Sequence, residues 1–196
     1  MKLYRIILVD DEEEVRKSII RKIKWEENGF LVAGDAENGE DALEKIELLE
    51  PDLILTDIRM PYMDGLTLAE RVRQKYPSMK IVIFSGYDDF EYAKQAIKLN
   101  VTEYILKPVN VEELTAILQK IKANLDQEIE QKRNVNLLRE NYIKSLPILR
   151  EQFLNELVNA PIAYETVQTR LKEYGISLSG AQKWVAAAVG IDRPEE

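Results

Sequence analysis

Asp10-Asp11, Asp57, Ser85 and Lys107 are the residues of this chain best suited to do chemistry together. Each stands at the end of a different short apolar run. If those runs are parallel strands, three carboxylates, a hydroxyl and an ammonium converge on one rim. Clustered carboxylates repel unless a cation sits among them, and an all-oxygen set that keeps several waters suits Mg2+. A carboxylate on such a cation, beside an ammonium, is placed to attack phosphorus, with charge neutralisation and position as the protein's contribution. The product is an acyl phosphate. Asp57, after the central run, is the expected nucleophile and Asp10 with Asp11 the metal pair. Lys107 would pair with a phosphate oxygen and Ser85 donate to another. Each residue alone has a plain alternative: a helix cap for Asp10-Asp11, a turn for Asp57, a loop for Ser85, a solvated lysine before Pro108. The set of four positions, not any one of them, points to a site.

Composition removes competing chemistries. The 196 residues contain no Cys and no His, so thiolate nucleophiles, His-ligated zinc, Ser-His-Asp triads and phosphohistidine carriers are all excluded. Lys and Arg total 27 against 35 Asp and Glu, a net charge of -8. That balance argues against a chain that binds nucleic acid over its whole length. No apolar run approaches the roughly 18 residues of a membrane span, and Met1-Lys2-Leu3-Tyr4-Arg5 does not open a signal peptide. The expected setting is cytoplasmic. At 45% apolar residues the chain can bury a sizeable core.

The elements that must position these residues are legible as two alternating patterns. Ile6–Val9, Phe30–Ala33, Leu53–Leu55, Ile81–Phe84 and Tyr104–Leu106 are strand-length and mostly β-branched or aromatic. Their continuous apolarity suits strands covered on both faces. Between them, Val15/Ile19/Ile23, Ala42/Ile46/Leu49, Ala69/Val72/Tyr76 and Phe90/Ala93/Ile97 recur at helical spacing, and Leu114, Leu118, Ile121 and Leu125 continue the series. Strands alternating with helices predict βαβ units and a parallel sheet, here a doubly wound (βα)5 domain. Asp11 is expected to cap the first helix, and Asn38-Gly39 and Asp64-Gly65 to make turns before later ones. Pro51, Pro77 and Pro108 fall between elements.

Residues 1–124 resemble the receiver domain of two-component response regulators. The matching text is Ile7-Leu8-Val9-Asp10-Asp11, the stretch from Asp57-Ile58-Arg59-Met60-Pro61 to Asp64-Gly65, then Phe84-Ser85-Gly86-Tyr87 and Tyr104-Ile105-Leu106-Lys107-Pro108. The resemblance implies a flavodoxin-like sheet of order 2-1-3-4-5 and phosphorylation of Asp57 by a sensor histidine kinase. It implies Mg2+ held by Asp10, Asp11, Asp57 and the backbone carbonyl of Arg59. Lys107 becomes the phosphate partner, Ser85 the switch hydroxyl and Tyr104 the rotating aromatic, with a cis Lys107-Pro108 bond. Such a module catalyses only its own phosphoryl transfer and dephosphorylation. A haloacid-dehalogenase-type phosphatase also uses an Asp nucleophile with Mg2+, but needs an acid two residues later, where Arg59 stands. A dead-site interaction module is disfavoured because all five site residues are present.

The stretch Ser85–Ile97 resembles, more narrowly, response regulators ending in an AraC-type DNA-binding domain. Promoter DNA would then be reached only through a C-terminal domain absent from these residues, and an enzymatic output is the alternative. From Val111 to about Ser145 there is no Gly or Pro, so the fifth helix is expected to outrun the domain as a helical linker, 125–146. Pro147 is expected to open a new helix, a further helix to end at Tyr174-Gly175, and Trp184–Asp192 to form a strand. Residues 147–196 thus look like the start of a truncated second domain. Lys94 and Lys98 against Glu112 and Glu113 suggest self-association on phosphorylation.

Overall fold

The computed structural model describes residues 3–86 and 90–177. The expected strand at Trp184–Asp192 and the Tyr87–Asp89 part of the Ser85–Ile97 stretch lie outside them. The chain divides into two compact units, residues 1–129 and 130–196.

The first unit carries five strands in alternation with helices: β1 (Tyr4–Val9), α1 (Glu13–Lys22), β2 (Phe30–Ala36), α2 (Gly39–Leu49), β3 (Leu53–Asp57), α3 (Gly65–Lys75), β4 (Lys80–Ser85), α4 (Phe90–Lys98), β5 (Glu103–Leu106) and α5, which starts at Val111. The strands are all parallel, in the order β2-β1-β3-β4-β5. This is the doubly wound (βα)5 sheet that the alternation of apolar runs and helical stripes predicts, in the flavodoxin-like order that the resemblance implies. Alternate residues of each strand serve opposite faces. Leu8, Leu55 and Phe84 pack with Ile19 of α1, with Ile23 just after that helix and with Leu114, Leu118 and Ile121 of α5. Val9, Ile54 and Ile83 pack with Ile46 of α2, Leu68 and Val72 of α3 and Ala96 of α4. All five residues of β3 are buried. Each fully buried Leu or Ile there is worth about 1.5–3 kcal/mol.

Leu114, Leu118, Ile121 and Leu125 belong to the core of the first unit, as their place in the helical series predicts. Three local expectations change. Helix α4 turns Ala96 inward, with Tyr92 and Leu99 against the same cluster, and leaves Ile97 76% exposed. Asp11 does not cap α1: the cap position is Glu12, with no side-chain bond, and it is Asp10 that accepts from the Glu12 amide. Asn38 and Asp64 do cap α2 and α3, accepting from Glu40 and Asp41 and from Thr67. Finally, Pro147 opens no helix, because α5 runs unbroken over Val111–Asn159 with Pro147 inside it. An interior proline deletes one helical hydrogen bond and costs about 3 kcal/mol. In the second unit, residues on both sides of Pro147 contact the end of the next helix. Tyr142 donates to the Glu173 carbonyl at 2.9 Å and Phe153 meets the Tyr174 ring edge-on at 5.7 Å, both at the end of α6 (Tyr164–Glu173).

Tyr62, in the loop between β3 and α3, has φ of 66° and is 86% exposed. The left-handed region costs a side-chain-bearing residue roughly 1–2 kcal/mol, and glycine gives back about 0.5–1 kcal/mol of that in lost unfolded-state restriction. Tyr62→Gly is therefore expected to raise the unfolding free energy by about 0.5–1 kcal/mol. Urea titration checks this; a destabilised variant would show that the exposed ring makes contacts of value.

Candidate functional site

Parallel strands put all their carboxyl ends on one edge, so the residues that end β3 and β4 and those that follow β1 and β5 must meet. The register brings Val9 beside Thr56, Asp57 beside Phe84 and Ser85 beside Leu106. Asp10, Asp11 and Asp57 each bring a carboxylate oxygen within 4.8 Å of the other two. Asp10 and Asp57 are buried, whereas Asp11 faces solvent. A cavity of about 240 Å³ opens over them, lined by Asp11, Asp57, Arg59, Ser85 and Lys107 among others.

Lys107 lies between the two buried acids, with Nζ 2.8 Å from Asp10 Oδ2 and 3.3 Å from Asp57 Oδ1. Burial pushes the Asp57 carboxyl above the usual range; Lys107 opposes that shift and the Asp10 charge adds to it. Burial works to lower Lys107, but its hydrogen bond and charge interaction with Asp10, then the Asp57 charge, outweigh it and leave the ammonium pKa raised. An added cation would therefore offset the burial cost of the ionised Asp57 carboxylate. The donors are all hard carboxylate oxygens, two of them fixed by burial, and this set fits Mg2+ better than a softer metal.

The loop after β3 holds Asp57 in place. The Thr56 hydroxyl donates to the Asp57 carbonyl at 2.9 Å, and the Gly65 amide donates to the Ile58 carbonyl at 2.8 Å. The Gly39 amide at the start of α2 donates to the Met63 carbonyl at 3.1 Å, so two helix starts clamp one loop. Ser85 is 2% exposed at the end of β4. Tyr104 on β5 packs against the cluster under α2, α3 and α4, and its hydroxyl is buried with no hydrogen-bond partner among the described residues. The Arg59 guanidinium lies 5.8 Å over the Tyr92 ring.

All the residues expected from the sequence are therefore gathered on one edge, except Tyr104, which sits one layer below it. Sequence reading missed Arg16, which is 8% exposed and donates to the Asp10 carbonyl at 2.5 Å and to Asp35 at 2.8 Å. The signal was available: Arg16 stands three residues before Ile19 and seven before Ile23, a charge on the buried stripe of α1.

Comparison with known proteins agrees with this geometry. The family described as Response regulator receiver domain matches residues 6–119. The uncharacterized transcriptional regulatory protein YesN of Bacillus subtilis is 37% identical over 158 residues, 80% of this chain and 42% of that protein. The transcriptional regulatory protein HptR of Staphylococcus aureus is 29% identical over 96% of this chain and 77% of its own length. The chain spans less than half the length of YesN. Among solved structures, the REC domain of AraT, a response regulator from Geobacillus stearothermophilus, superposes with a TM-score of 0.61 at 39% identity, over 64% of this chain and 98% of that one. A two component transcriptional regulator AraC from Clostridium phytofermentans gives 0.59 at 35% identity, over 64% and 98%.

Proposed function

The chain belongs to the response regulator receiver family, and from that premise we propose that it is switched by phosphorylation of Asp57 from a sensor histidine kinase. The observation that carries this reading is the placement of Asp57 against Lys107 and within 4.8 Å of Asp10 and Asp11, at the floor of an open cavity. An Asp57 carboxylate oxygen attacks the phosphorus, the P–N bond to the donor imidazole breaks, and the electron pair leaves with that nitrogen. Asp10, Asp11, Asp57 and the carbonyl of Arg59 would hold Mg2+, which supplies neutralisation of the phosphoryl charge. Lys107 moves its hydrogen bond from Asp10 to a phosphoryl oxygen, and Ser85 donates to another. The module acts on itself and on no separate substrate. Incubation with acetyl phosphate and Mg2+, read by intact mass, tests the assignment.

Output is read through Ser85 and Tyr104. Movement of Ser85 toward the phosphoryl group vacates space beside β5, and the unsatisfied Tyr104 hydroxyl gives that ring a reason to change packing. The face that changes carries exposed Ile97 and Leu106, with Lys94 and Lys98 on α4 and Glu112 and Glu113 on α5. Both signs and an apolar centre are what a two-fold self-association needs. The beryllofluoride-loaded chain is expected to form dimers by light scattering at micromolar concentrations where the free chain is monomeric. An unchanged monomer at high micromolar concentration counts against it.

Residues 1–124 form the receiver in this reading, 125–146 the linker and 147–196 the front of a second domain. The longer relatives and the AraC-type neighbour support transcriptional output through a C-terminal DNA-binding domain outside these residues. A cytoplasmic setting fits it; among the described residues no helix is long and apolar enough to cross a membrane.

A further inference from the structure

One buried charge has no part in the roles assigned above. Arg16, in the first turns of α1, keeps only 10% of its side chain exposed. Placing a guanidinium there is costly unless its donors are fully used. Nη1 donates to the carbonyl oxygen of Asp10 at 2.5 Å, and Nε donates to Asp35 Oδ2, at the end of β2, at 2.8 Å. The other polar atoms of Asp10 are already engaged. Its amide donates to the Ala36 carbonyl, Oδ1 accepts from the Glu12 amide, and Oδ2 accepts from Lys107. Arg16 takes the remaining acceptor, which is the oxygen of the peptide joining Asp10 to Asp11. Fixing that carbonyl fixes the peptide plane, and the plane sets the direction in which Asp11 leaves the strand. Asp11 needs such support, because it is exposed and no side-chain hydrogen bond holds it among the described residues. Asp35, with 45% of its side chain exposed, anchors the far side of the guanidinium.

We propose that Arg16, braced by Asp35, is a positioning residue that holds the Asp10–Asp11 peptide so that the Asp11 carboxylate is directed to the cation site. The proposal rests on the reading of Asp10, Asp11 and Asp57 as the Mg2+ ligands. The competing account is that Arg16 merely ties α1 to β2, in which case stability changes and cation affinity does not. Lysine is a compact cation without the planar fork and reaches one of the two acceptors, not both. Loss of such an outer support typically weakens metal affinity by about 10–100-fold.

The test is a Mg2+ titration of the whole chain followed by amide chemical shifts, with thermal midpoints measured in chelator. Arg16→Lys and Asp35→Ala are each expected to raise the Mg2+ dissociation constant about tenfold. Phosphorylation by acetyl phosphate should be slow at limiting Mg2+ and close to wild type at saturating Mg2+. Glu37→Gln, an exposed neighbouring charge change, is expected to move the affinity less than about twofold, which separates positioning from long-range electrostatics. Should Arg16→Lys fail to fold, Asp35→Ala decides alone, since the half-exposed Asp35 side chain is removable without a buried void. Variants that bind Mg2+ as wild type does would overturn the role of Arg16. Wild-type chain that binds no Mg2+ would overturn the site reading itself, and this proposal with it.

Discussion

Asp57→Asn is expected to abolish phosphorylation. Wild-type chain incubated with acetyl phosphate and Mg2+ should gain one phosphoryl group by mass, and the variant or a chelated sample should gain none. Among the described residues, Asp57 is the only carboxylate that combines the end of the central strand, contact with Lys107 at 3.3 Å and a share in the cavity floor. Asp10 has Lys107 at 2.8 Å but both its oxygens are already hydrogen-bonded, and Asp11 lies out in solvent. An amide is not a nucleophile toward phosphorus, so loss should be complete rather than partial. Full labelling of the variant would sink the assignment.

The same substitution has an opposite effect on stability. The folded-state pKa of Asp57 is raised above its ordinary value, chiefly by burial. Its ionisation therefore opposes folding. That penalty is absent below the unfolded-state pKa and complete above the folded-state one. In metal-free buffer Asp57→Asn is expected to melt higher than wild type near neutral pH, with the advantage shrinking as pH falls through the carboxylate range. A variant less stable than wild type at neutral pH would show that the contact with Lys107 outweighs the cost of burial.

Gly65→Ala is expected to be the most damaging single-methyl addition in the first unit. A Cβ built on Gly65 lies 1.9 Å from the Asp57 carbonyl oxygen, 2.9 Å from its carbonyl carbon and 3.0 Å from Thr56 Oγ1. These are backbone atoms and a hydroxyl already bonded to that carbonyl, so no flexible side chain can give way. Relief requires α3 to back off the end of β3, breaking the 2.8 Å bond from the Gly65 amide to Ile58. Overpacking against fixed structure costs about 1–3 kcal/mol and more where backbone must move. A loss of about 2–4 kcal/mol is expected, or roughly 10 °C in the melting midpoint. Because the clash falls on Asp57 itself, the residual folded protein should also label more slowly with acetyl phosphate. Unchanged melting would mean that the loop relaxes freely and that the clamp is not a constraint on the site.

How much of this was legible beforehand differs from residue to residue, for a physical reason in each case. Strands buried on both faces need continuous apolar runs, and helices packed on one side need a stripe. Ile6–Val9, Leu53–Leu55 and Ile81–Phe84, with the stripes through Ile19, Ile46 and Val72, therefore determined the (βα)5 alternation without any tertiary knowledge. Once the strands are parallel, geometry alone brings Asp10, Asp11, Asp57, Ser85 and Lys107 to one edge. What depends on three-dimensional neighbours was not legible. Ala93 and Ile97 fit the period of α4 as well as Ala96 does, and only the packed sheet decided which residues turn inward. Pro147 reads locally as a helix start, yet α5 runs through it, and residues on either side of it, Tyr142 and Phe153, contact residues some 20 to 30 positions later. Arg16 looks like any charge on a helix until β2 delivers Asp35 to one end of its guanidinium and β1 delivers the Asp10 carbonyl to the other. Lys107 could have rested on any of three acids, and the structure seats it on Asp10, the most deeply buried of them. Periodicity and chain order are written along the sequence because they arise from local sterics and one-sided burial. The partner of a buried charge is chosen by whatever the tertiary fold places within 3 Å of it, and no local pattern records that choice.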